Sequence, residues 1–231
     1  MHIHGLQKLA MVDYPGKLAA TVFTGGCNLR CPFCHNALLV TRLAETPEIP
    51  EQEVLDFLAS RRGLLDGVVL TGGEPLLQPD AADFLRKVRE LGFAVKLDTN
   101  GCDPARLAEI LNQGLVDYVA MDVKNAPARY AENVGIPGFN PAPVEESIRL
   151  LRKSTVDYEF RTTLVRELHR PEDLDAIAAW LAGAPRYYLQ NFVDSGNLIG
   201  RGYHGFTAEQ LQGFAERVRP FFGAVELRGI D

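Results

Sequence analysis

The segment of residues 19–36 reads AATVFTGGCNLRCPFCHN and decides most of what the sequence says about the fold. Its first six residues, Ala19–Thr24, are small, apolar or β-branched and predict a buried strand. Two glycines follow, and then Cys27, Cys31 and Cys34 fall within eight residues. We expect no signal peptide on this chain. In such a chain, three closely spaced cysteines indicate metal ligands rather than a disulfide scaffold. The segment therefore predicts a metal centre at the end of a strand.

Outside this segment, the chain alternates short apolar runs with amphipathic stretches of helical period. The other predicted strands are Gly67–Thr71, Ala94–Thr99, Tyr118–Val123, Glu159–Val165, Tyr187–Phe192 and a short one near Val225. The predicted helices are Glu51–Ser60, Asp80–Leu91, Pro104–Gln113, Pro143–Lys153, Pro171–Leu181 and Thr207–Phe221. Because alternating strands and helices imply βαβ units, the pattern predicts an α/β fold. We expect a partial (β/α)6-type TIM barrel of parallel strands, with a doubly wound open sheet as the alternative.

The alternation of strands and helices continues without interruption, which predicts a single domain over residues 1–231. Its core lies at about 18–192, and a C-terminal βα extension occupies about 193–231. The chain is 46% apolar and 23% charged, with a net charge of −6, so it offers no basic surface for nucleic acid or anionic lipid. No apolar run reaches the roughly 18 residues of a membrane span. The first residues lack a basic segment that leads into an apolar one, so we expect no signal peptide. We expect a cytoplasmic protein with neither a nucleic-acid nor a membrane partner.

The cysteine loop has the spacing C-x3-C-x2-C. Three thiolates on one tight loop can bind three irons of a [4Fe–4S] cube and leave the fourth iron open, as metal-centred catalysis requires. The alternative is a structural zinc ion, with His35 or Cys102 as its fourth ligand. His35 directly follows Cys34, which makes their convergence on one ion awkward, so we favour the cluster. Cys102 stands alone and is interpreted as a structural thiol.

Polar residues also follow the next three predicted strands. The segment Thr71–Pro75 reads TGGEP, and its backbone carbonyls and carboxylate suit a primary ammonium group. Asp98 and Asp122 can hold a hard cation or a polar ligand group, and Lys124 can pair with a ligand carboxylate. Each motif alone is also compatible with an ordinary turn or a salt-bridged rim. Because the carboxyl ends of parallel strands share one edge, we expect all of them to form one ligand site.

Two longer loops lie on the same predicted rim. Asn125–Pro141 is rich in Pro, Gly and Asn, and Asp194–Gly205 is polar and rich in Gly. Both are candidates for gating the site or docking a partner.

Together these motifs resemble the radical S-adenosylmethionine (SAM) superfamily. The C-x3-C-x2-C loop and the segment Gly72–Pro75 carry that resemblance over roughly residues 5–192. The runs VDYPGK at 12–17 and CPFCHN at 31–36 resemble the activating proteins of glycyl radical enzymes, above all the anaerobic ribonucleoside-triphosphate reductase group. Residues 98–101 and 122–124 look like the related pyruvate formate-lyase activating enzyme.

The resemblance implies the role of each candidate residue. Cys27, Cys31 and Cys34 hold a [4Fe–4S] cluster, whose open iron takes the amino and carboxylate groups of SAM. The implied SAM contacts are Phe33, His35, Gly72, Gly73, Glu74, Asp122, Lys124 and Gln190. Of these, residues 72–74 receive the methionine ammonium, and Phe33 and His35 lie along the adenine. Asp98, Asp122 and the Thr99 carbonyl are implied ligands of a monovalent cation.

The resemblance also implies the activity. Reductive cleavage of SAM yields methionine and a 5′-deoxyadenosyl radical, which takes a hydrogen from a glycine of a partner enzyme. Such an oxidoreductase needs a low-potential electron donor such as flavodoxin or ferredoxin. The sequence departs from the pattern at residues 189–192, where LQNF replaces the Leu-Pro-Tyr-His motif of the related enzyme, and it has no cysteines for a second cluster. The alternative function is a radical SAM enzyme that acts on a small molecule, such as a deazapurine-type carbon-ring synthase.

Overall fold

The computed structural model describes residues 1–230. Eight strands form one sheet in the order β1-β2-β3-β4-β5-β6-β7-β8. The strands are β1 Ile3–Ala10, β2 Ala19–Thr24, β3 Gly67–Gly72, β4 Ala94–Thr99, β5 Tyr118–Asp122, β6 Asp157–Leu164, β7 Arg186–Asn191 and β8 Ala224–Arg228. β1 is antiparallel to β2, and every later neighbouring pair is parallel. β1 and β8 do not pair with each other, so the barrel is partial and open on one side.

Helices connect the parallel strands. They are α1 Ala37–Thr41, α2 Glu51–Ala59, α3 Ala81–Glu90, α4 Pro104–Asn112, α5 Tyr130–Val134, α6 Ala142–Lys153, α7 Pro171–Leu181 and α8 Ala208–Val218. Asp103 caps α4 by accepting from the Arg106 backbone N–H at 3.0 Å, and Thr207 and Gln210 form a capping box at α8. No helix among the described residues has the length and apolar character needed to cross a membrane.

The two faces of the sheet have opposite chemistry. Val22, Leu70, Leu97 and Phe160 belong to the main core cluster, which covers the helix-facing side of the sheet. Successive residues of a strand point to opposite faces. Asp98, Arg161 and Gln190, which line the cavity, therefore lie on the inner face. A small apolar cluster of Tyr14, Ala19, Val69 and Tyr118 lies near the N-terminal ends of the strands. The polar inner face is therefore closed at that end, and the site lies at the carboxyl ends.

The parallel αβ architecture of the partial barrel is confirmed, but the strand β1 was not predicted. Its hydrogen-bonded register shifts between Ile3 and Gly5 and again between Gln7 and Ala10. A bulge adds a residue to one strand and disturbs the period-2 pattern on which sequence reasoning depends. The sheet therefore begins before residue 18, where the sequence placed the start of the core.

The stretch Asn125–Pro141 is less irregular than its composition indicates. It contains a 3₁₀ turn, Pro127–Arg129, followed directly by the short helix α5. Tyr130 and Val134 of this helix are fully buried in the core. Because its middle packs into the interior, this stretch is an ordered part of the fold rather than an open loop.

Candidate functional site

A cavity of about 390 Å³ opens at the carboxyl ends of the strands. Its size lies in the range of small-ligand sites. The predicted site residues that line it are Cys27, Cys31, Phe33, Cys34, His35, Gly72, Gly73, Glu74, Asp98, Asp122, Lys124 and Gln190. Thr99 also lines it, whereas Cys102 does not. The fold thus brings every predicted site residue to one cavity, as expected from the shared edge of parallel strands.

The three clustered cysteines lie on the loop between β2 and α1. Cys31 is 8% exposed, and burial raises the pKa of its thiol to about 12. Within residues 1–230, no three His, Cys, Asp or Glu side chains converge closely enough to hold one metal ion. His35 points elsewhere, because its Nε2 lies 2.9 Å from the carbonyl of Val193. This hydrogen bond disfavours His35 as the fourth ligand of a zinc ion on the three thiols. Three soft thiol donors on one loop that line one cavity are the kind of donor set that holds an iron–sulfur cluster.

The glycines at the end of β3 let two loops approach closely. Gly72 has a φ of +124°, and a Cβ built on it would lie 2.3 Å from the backbone nitrogen of Thr24. A Cβ on Gly73 would lie 2.0 Å from the carbonyl oxygen of Gly26. The Gly73 N–H donates to the carbonyl of Thr24 at 2.9 Å, and the Glu74 N–H donates to that of Gly26 at 2.8 Å. Because glycine has no Cβ, the backbone of this turn can approach the cysteine loop closely enough to form these hydrogen bonds.

Glu74 is buried and tied to the end of β4. Its Oε1 accepts from the Thr99 hydroxyl at 2.7 Å, and its Oε2 accepts from the Asn100 N–H at 2.7 Å. Burial raises the pKa of Glu74 to about 7, against the opposing effect of these hydrogen bonds. The carboxylate therefore fixes β3 against β4 as well as facing the cavity. That it also receives an ammonium group stays a prediction.

Asn100 and Asn36 attach the cysteine loop to neighbouring strand ends, and sequence reasoning missed both. Asn100 Nδ2 donates to Asn28 Oδ1 at 2.8 Å and lies 3.8 Å from Cys27 Sγ. Asn36 Nδ2 donates to the Gly72 carbonyl at 2.8 Å. These amides hold the cysteine loop against the ends of β3 and β4. Both belong to quoted motifs, CPFCHN and residues 98–101, which were the available signal.

Aromatic side chains of the cysteine loop form another part of the cavity wall. Phe33 is 4% exposed, and His35 stacks on Phe192 with ring centroids 5.4 Å apart. Gln190, at the end of β7, lines the same cavity. Because apolar rings beside an amide suit a flat heterocycle with polar edges, this wall can bind a nucleobase.

Three basic and two acidic side chains form a charged network on the inner face of β4, β5 and β6. Lys96 Nζ donates to Asp98 Oδ1 at 2.5 Å, and Lys124 Nζ donates to Asp122 Oδ2 at 3.1 Å. Arg161 bridges the two aspartates: its Nη1 donates to Asp98 Oδ2 at 3.0 Å and its Nε to Asp122 Oδ1 at 2.8 Å. All four carboxylate oxygens of Asp98 and Asp122 therefore accept from protein cations, and the monovalent cation on these two residues stays a prediction.

Electrostatics keep this network ionised. Burial alone would raise the pKa of Asp98 and Asp122, but Arg161 together with a neighbouring lysine outweighs it and holds both pKa values below their usual range. Lys96 and Lys124 act in the same direction. Burial would likewise lower the pKa of Lys124, but Asp122, together with Cys31 and Tyr130, outweighs burial and raises that pKa. Asp98, Asp122, Lys124 and Arg161 thus stay charged together because opposite charges offset the cost of burial.

Buried polar side chains contact the backbone carbonyl of Lys124. Its carbonyl lies 2.9 Å from His169 Nε2 and accepts from Asn133 Nδ2 at 3.2 Å. Asn133 in turn accepts from Asn125 Nδ2 at 2.8 Å. Asn125 and Asn133 are fully buried and His169 is 4% exposed. The stretch after β5 therefore serves to position the Lys124 backbone.

The loop Asp194–Gly205 lies against the cysteine loop. The Gly200 N–H donates to the Pro32 carbonyl at 2.7 Å, and Arg42 Nη2 donates to Asn197 Oδ1 at 2.6 Å. These contacts attach the loop to the outside of the cysteine loop, next to His35. Its predicted part in gating or docking stays a prediction.

Sequence reasoning missed Arg161, the centre of the charged network. Along β6, Glu159, Arg161 and Thr163 alternate with residues that pack towards the helices. This period-2 pattern was the available signal, because it places three polar side chains on the inner face. No local motif marks such a position, since its partners lie 39 and 63 residues away.

The chain belongs to the radical SAM superfamily, whose family model matches residues 21–181. Members of this superfamily hold a [4Fe–4S] cluster and SAM, which the donor set and the cavity of this chain fit. A Methanocaldococcus jannaschii protein named "Putative glycyl-radical enzyme activating enzyme" is 36% identical over 197 residues, which cover 82% of this chain and 79% of that protein. A pyruvate formate-lyase-activating enzyme of Clostridium pasteurianum is 35% identical over 128 residues, or 53% of this chain and 52% of that enzyme.

Solved structures share the fold. SuiB of Streptococcus suis superposes with a TM-score of 0.71 at 15% identity, over 89% of this chain and 47% of that one. The anSMEcpe protein with bound AdoMet superposes with a TM-score of 0.62 at 19% identity, over 85% of this chain and 57% of that one. The matches span about half the length of SuiB and of the Clostridium enzyme.

Proposed function

We propose that this chain is an activating enzyme of a glycyl radical enzyme, an oxidoreductase that removes a hydrogen atom from one glycine Cα of a partner protein. The observation that carries the proposal is the 36% identity, over 82% of the chain, to the Methanocaldococcus jannaschii protein named for that activity. The similarity to pyruvate formate-lyase-activating enzymes supports the same activity.

The open sheet supports a protein substrate. β1 and β8 are both edge strands, and the cavity reaches from Gln7 on β1 to Gln190 on β7. The site therefore lies beside an opening in the barrel wall. An extended peptide loop can enter such an opening, whereas a small-molecule enzyme needs an enclosed polar pocket.

Different residues of the cavity would bind the cluster and the separate parts of SAM. Cys27, Cys31 and Cys34 would hold the cluster through their Sγ atoms. When bound, the cluster and SAM supply the reductive carbon–sulfur cleavage and the hydrogen-atom abstraction. The segment Gly72–Glu74 would receive the methionine ammonium of SAM. Phe33, His35 and Gln190 would bind its adenine and exclude water from it; Asp122 and Lys124 would contact its sugar or carboxylate.

We also propose a low-potential protein donor, such as flavodoxin or ferredoxin, as the electron source. The four cysteines of the chain leave only Cys102 beyond the three predicted ligands. One thiol holds no second cluster, so no cysteine-bound relay within this chain would pass electrons from the donor to the first cluster.

The test uses the cluster-loaded chain under anaerobic conditions, with SAM and dithionite. Anaerobic ribonucleoside-triphosphate reductase and pyruvate formate-lyase serve as candidate partners. We expect a glycyl radical signal in electron paramagnetic resonance with one of them, and none when its radical-site glycine is replaced by alanine. Deuterium from an α-deuterated glycine at that position should appear in 5′-deoxyadenosine. Turnover of a deazapurine precursor, with no radical on either protein, would contradict the proposal and support the small-molecule alternative.

A further inference from the structure

We propose that Arg161 supplies, as a tethered guanidinium, the positive charge that would otherwise come from a metal ion between Asp98 and Asp122. SAM binding by this chain is then independent of sodium and potassium. The inference rests on the proposed SAM site and concerns how that site is charged.

The first support is that the two carboxylates are fully engaged. Each of their four oxygens accepts from a basic side chain, at distances of 2.5 to 3.1 Å. A metal cation placed between them would meet three positively charged groups at close range. Such a cation would be repelled unless Arg161 moved away.

The second support is the register of the sheet. Asp122 on β5 lies directly opposite Arg161 on β6 in the parallel ladder. Asp98 lies opposite Ala120, one strand further along. Because the backbone hydrogen bonds fix this register, the guanidinium is held between the two aspartates by the fold itself. The planar fork of an arginine can bridge two carboxylates, which a lysine ammonium does less well.

The third support is the charge that remains. Lys96, Lys124 and Arg161 carry three positive charges and the two aspartates carry two negative ones, so the network has one positive charge in excess. Arg161 has five N–H donors, and two of its nitrogens bind the aspartates. Its side chain is 13% exposed and lines the cavity. The excess charge therefore faces the ligand and suits a carboxylate, such as that of the methionine part of SAM.

The first arm of the test needs no variant. The dissociation constant of SAM is measured anaerobically on the cluster-loaded wild type, in potassium, sodium or tetramethylammonium chloride at equal ionic strength. We expect the three values to agree within about twofold, because no small cation takes part in the site. Binding that is tenfold or more tighter in potassium or sodium would overturn the inference and leave the proposed function standing. A cluster-loaded wild type that binds no SAM in any salt would overturn both.

The second arm removes the guanidinium. In Arg161→Met, we expect SAM to bind roughly tenfold more weakly in tetramethylammonium, because a charge-assisted contact is lost. Potassium or sodium should then restore part of the affinity by entering the gap between Asp98 and Asp122. Arg149→Met is the matched control, since Arg149 is exposed on α6 and pairs with Glu146. An Arg161→Met affinity equal to that of the wild type in every salt would contradict the inference.

Arg161→Lys keeps the test decisive if Arg161→Met does not fold. The lysine retains the charge but not the fork that bridges both carboxylates. We expect weaker SAM binding that is still insensitive to the added cation. A cation-dependent Arg161→Lys protein would overturn the inference.

Discussion

The two halves of the cavity wall are built by different means. The half formed by the ends of β2 and β3 consists of thiols and closely packed glycine backbone, held together by hydrogen bonds such as Gly73 N–H to the Thr24 carbonyl. The half formed by β4, β5 and β6 consists of five charged side chains in one network. The packing of the first half depends on glycines without side chains, and the second half depends on its charged side chains. Substitutions should therefore act on the first half through shape and on the second through charge.

The largest effect is expected at Gly73. In Gly73→Ala, the new Cβ would lie 2.0 Å from the carbonyl oxygen of Gly26, and backbone cannot move as a flexible side chain does. We expect the free energy of unfolding to fall by about 1–3 kcal/mol, and SAM binding to be lost with the shape of the loop. Denaturant unfolding and SAM titration measure the two effects.

Gly213→Ala is the control for that change. Gly213 lies in α8 with nothing within 4 Å of its added Cβ. Alanine there should stabilise the chain by up to about 1 kcal/mol, because it is the better helix former. Equal unfolding free energies and equal SAM affinities of Gly73→Ala and Gly213→Ala would contradict the close approach of Gly73 to the cysteine loop.

The second half should respond to charge and to pH. Asp98→Asn removes the carboxylate that Lys96 and Arg161 share, and Lys96 is only 1% exposed. We expect the variant to lose about 2 kcal/mol of unfolding free energy at pH 7, since hydrogen bonds to charged groups are lost. Because the folded-state pKa of Asp98 is below its unfolded value, this stabilisation is present above pH ~4 and is lost as the pH falls further.

The free energies of unfolding of wild type and Asp98→Asn are therefore compared at pH 7 and at acid pH. The difference between the two proteins should be smaller at acid pH. Asp175→Asn is the control, because Asp175 forms an exposed pair with Arg217 that solvent screens. It should change stability little at either pH. A difference in unfolding free energy between wild type and Asp98→Asn that grows as the pH falls would contradict the lowered pKa of Asp98.

The smallest effect is expected at Asn36. Asn36→Ala removes the amide that donates to the Gly72 carbonyl at 2.8 Å. We expect a loss of about 1 kcal/mol in unfolding free energy and weaker SAM binding than in the wild type, because one neutral hydrogen bond is lost. Asn112→Ala, at the exposed end of α4, should leave both quantities unchanged. A SAM affinity as low as that of Gly73→Ala would show that side chains, not backbone, hold this half together.

The same contrast explains what the sequence predicts and what it does not. Cys27, Gly72 and Glu74 belong to short contiguous motifs, so their chemistry could be found by local inspection. Arg161 could not, because its meaning depends on partners that only the sheet register brings within reach. β1 was missed for a related reason: its bulges interrupt the alternation that marks a strand.

The central claim is that Cys27, Cys31 and Cys34 hold an iron–sulfur cluster at which SAM is cleaved. The direct measurement is anaerobic reconstitution with iron and sulfide, followed by dithionite, SAM and an assay for 5′-deoxyadenosine, with Cys31→Ala and Cys102→Ala as controls. The account predicts bound iron and product from wild type and Cys102→Ala, and neither from Cys31→Ala. One zinc ion per chain, no iron uptake and no product would contradict it.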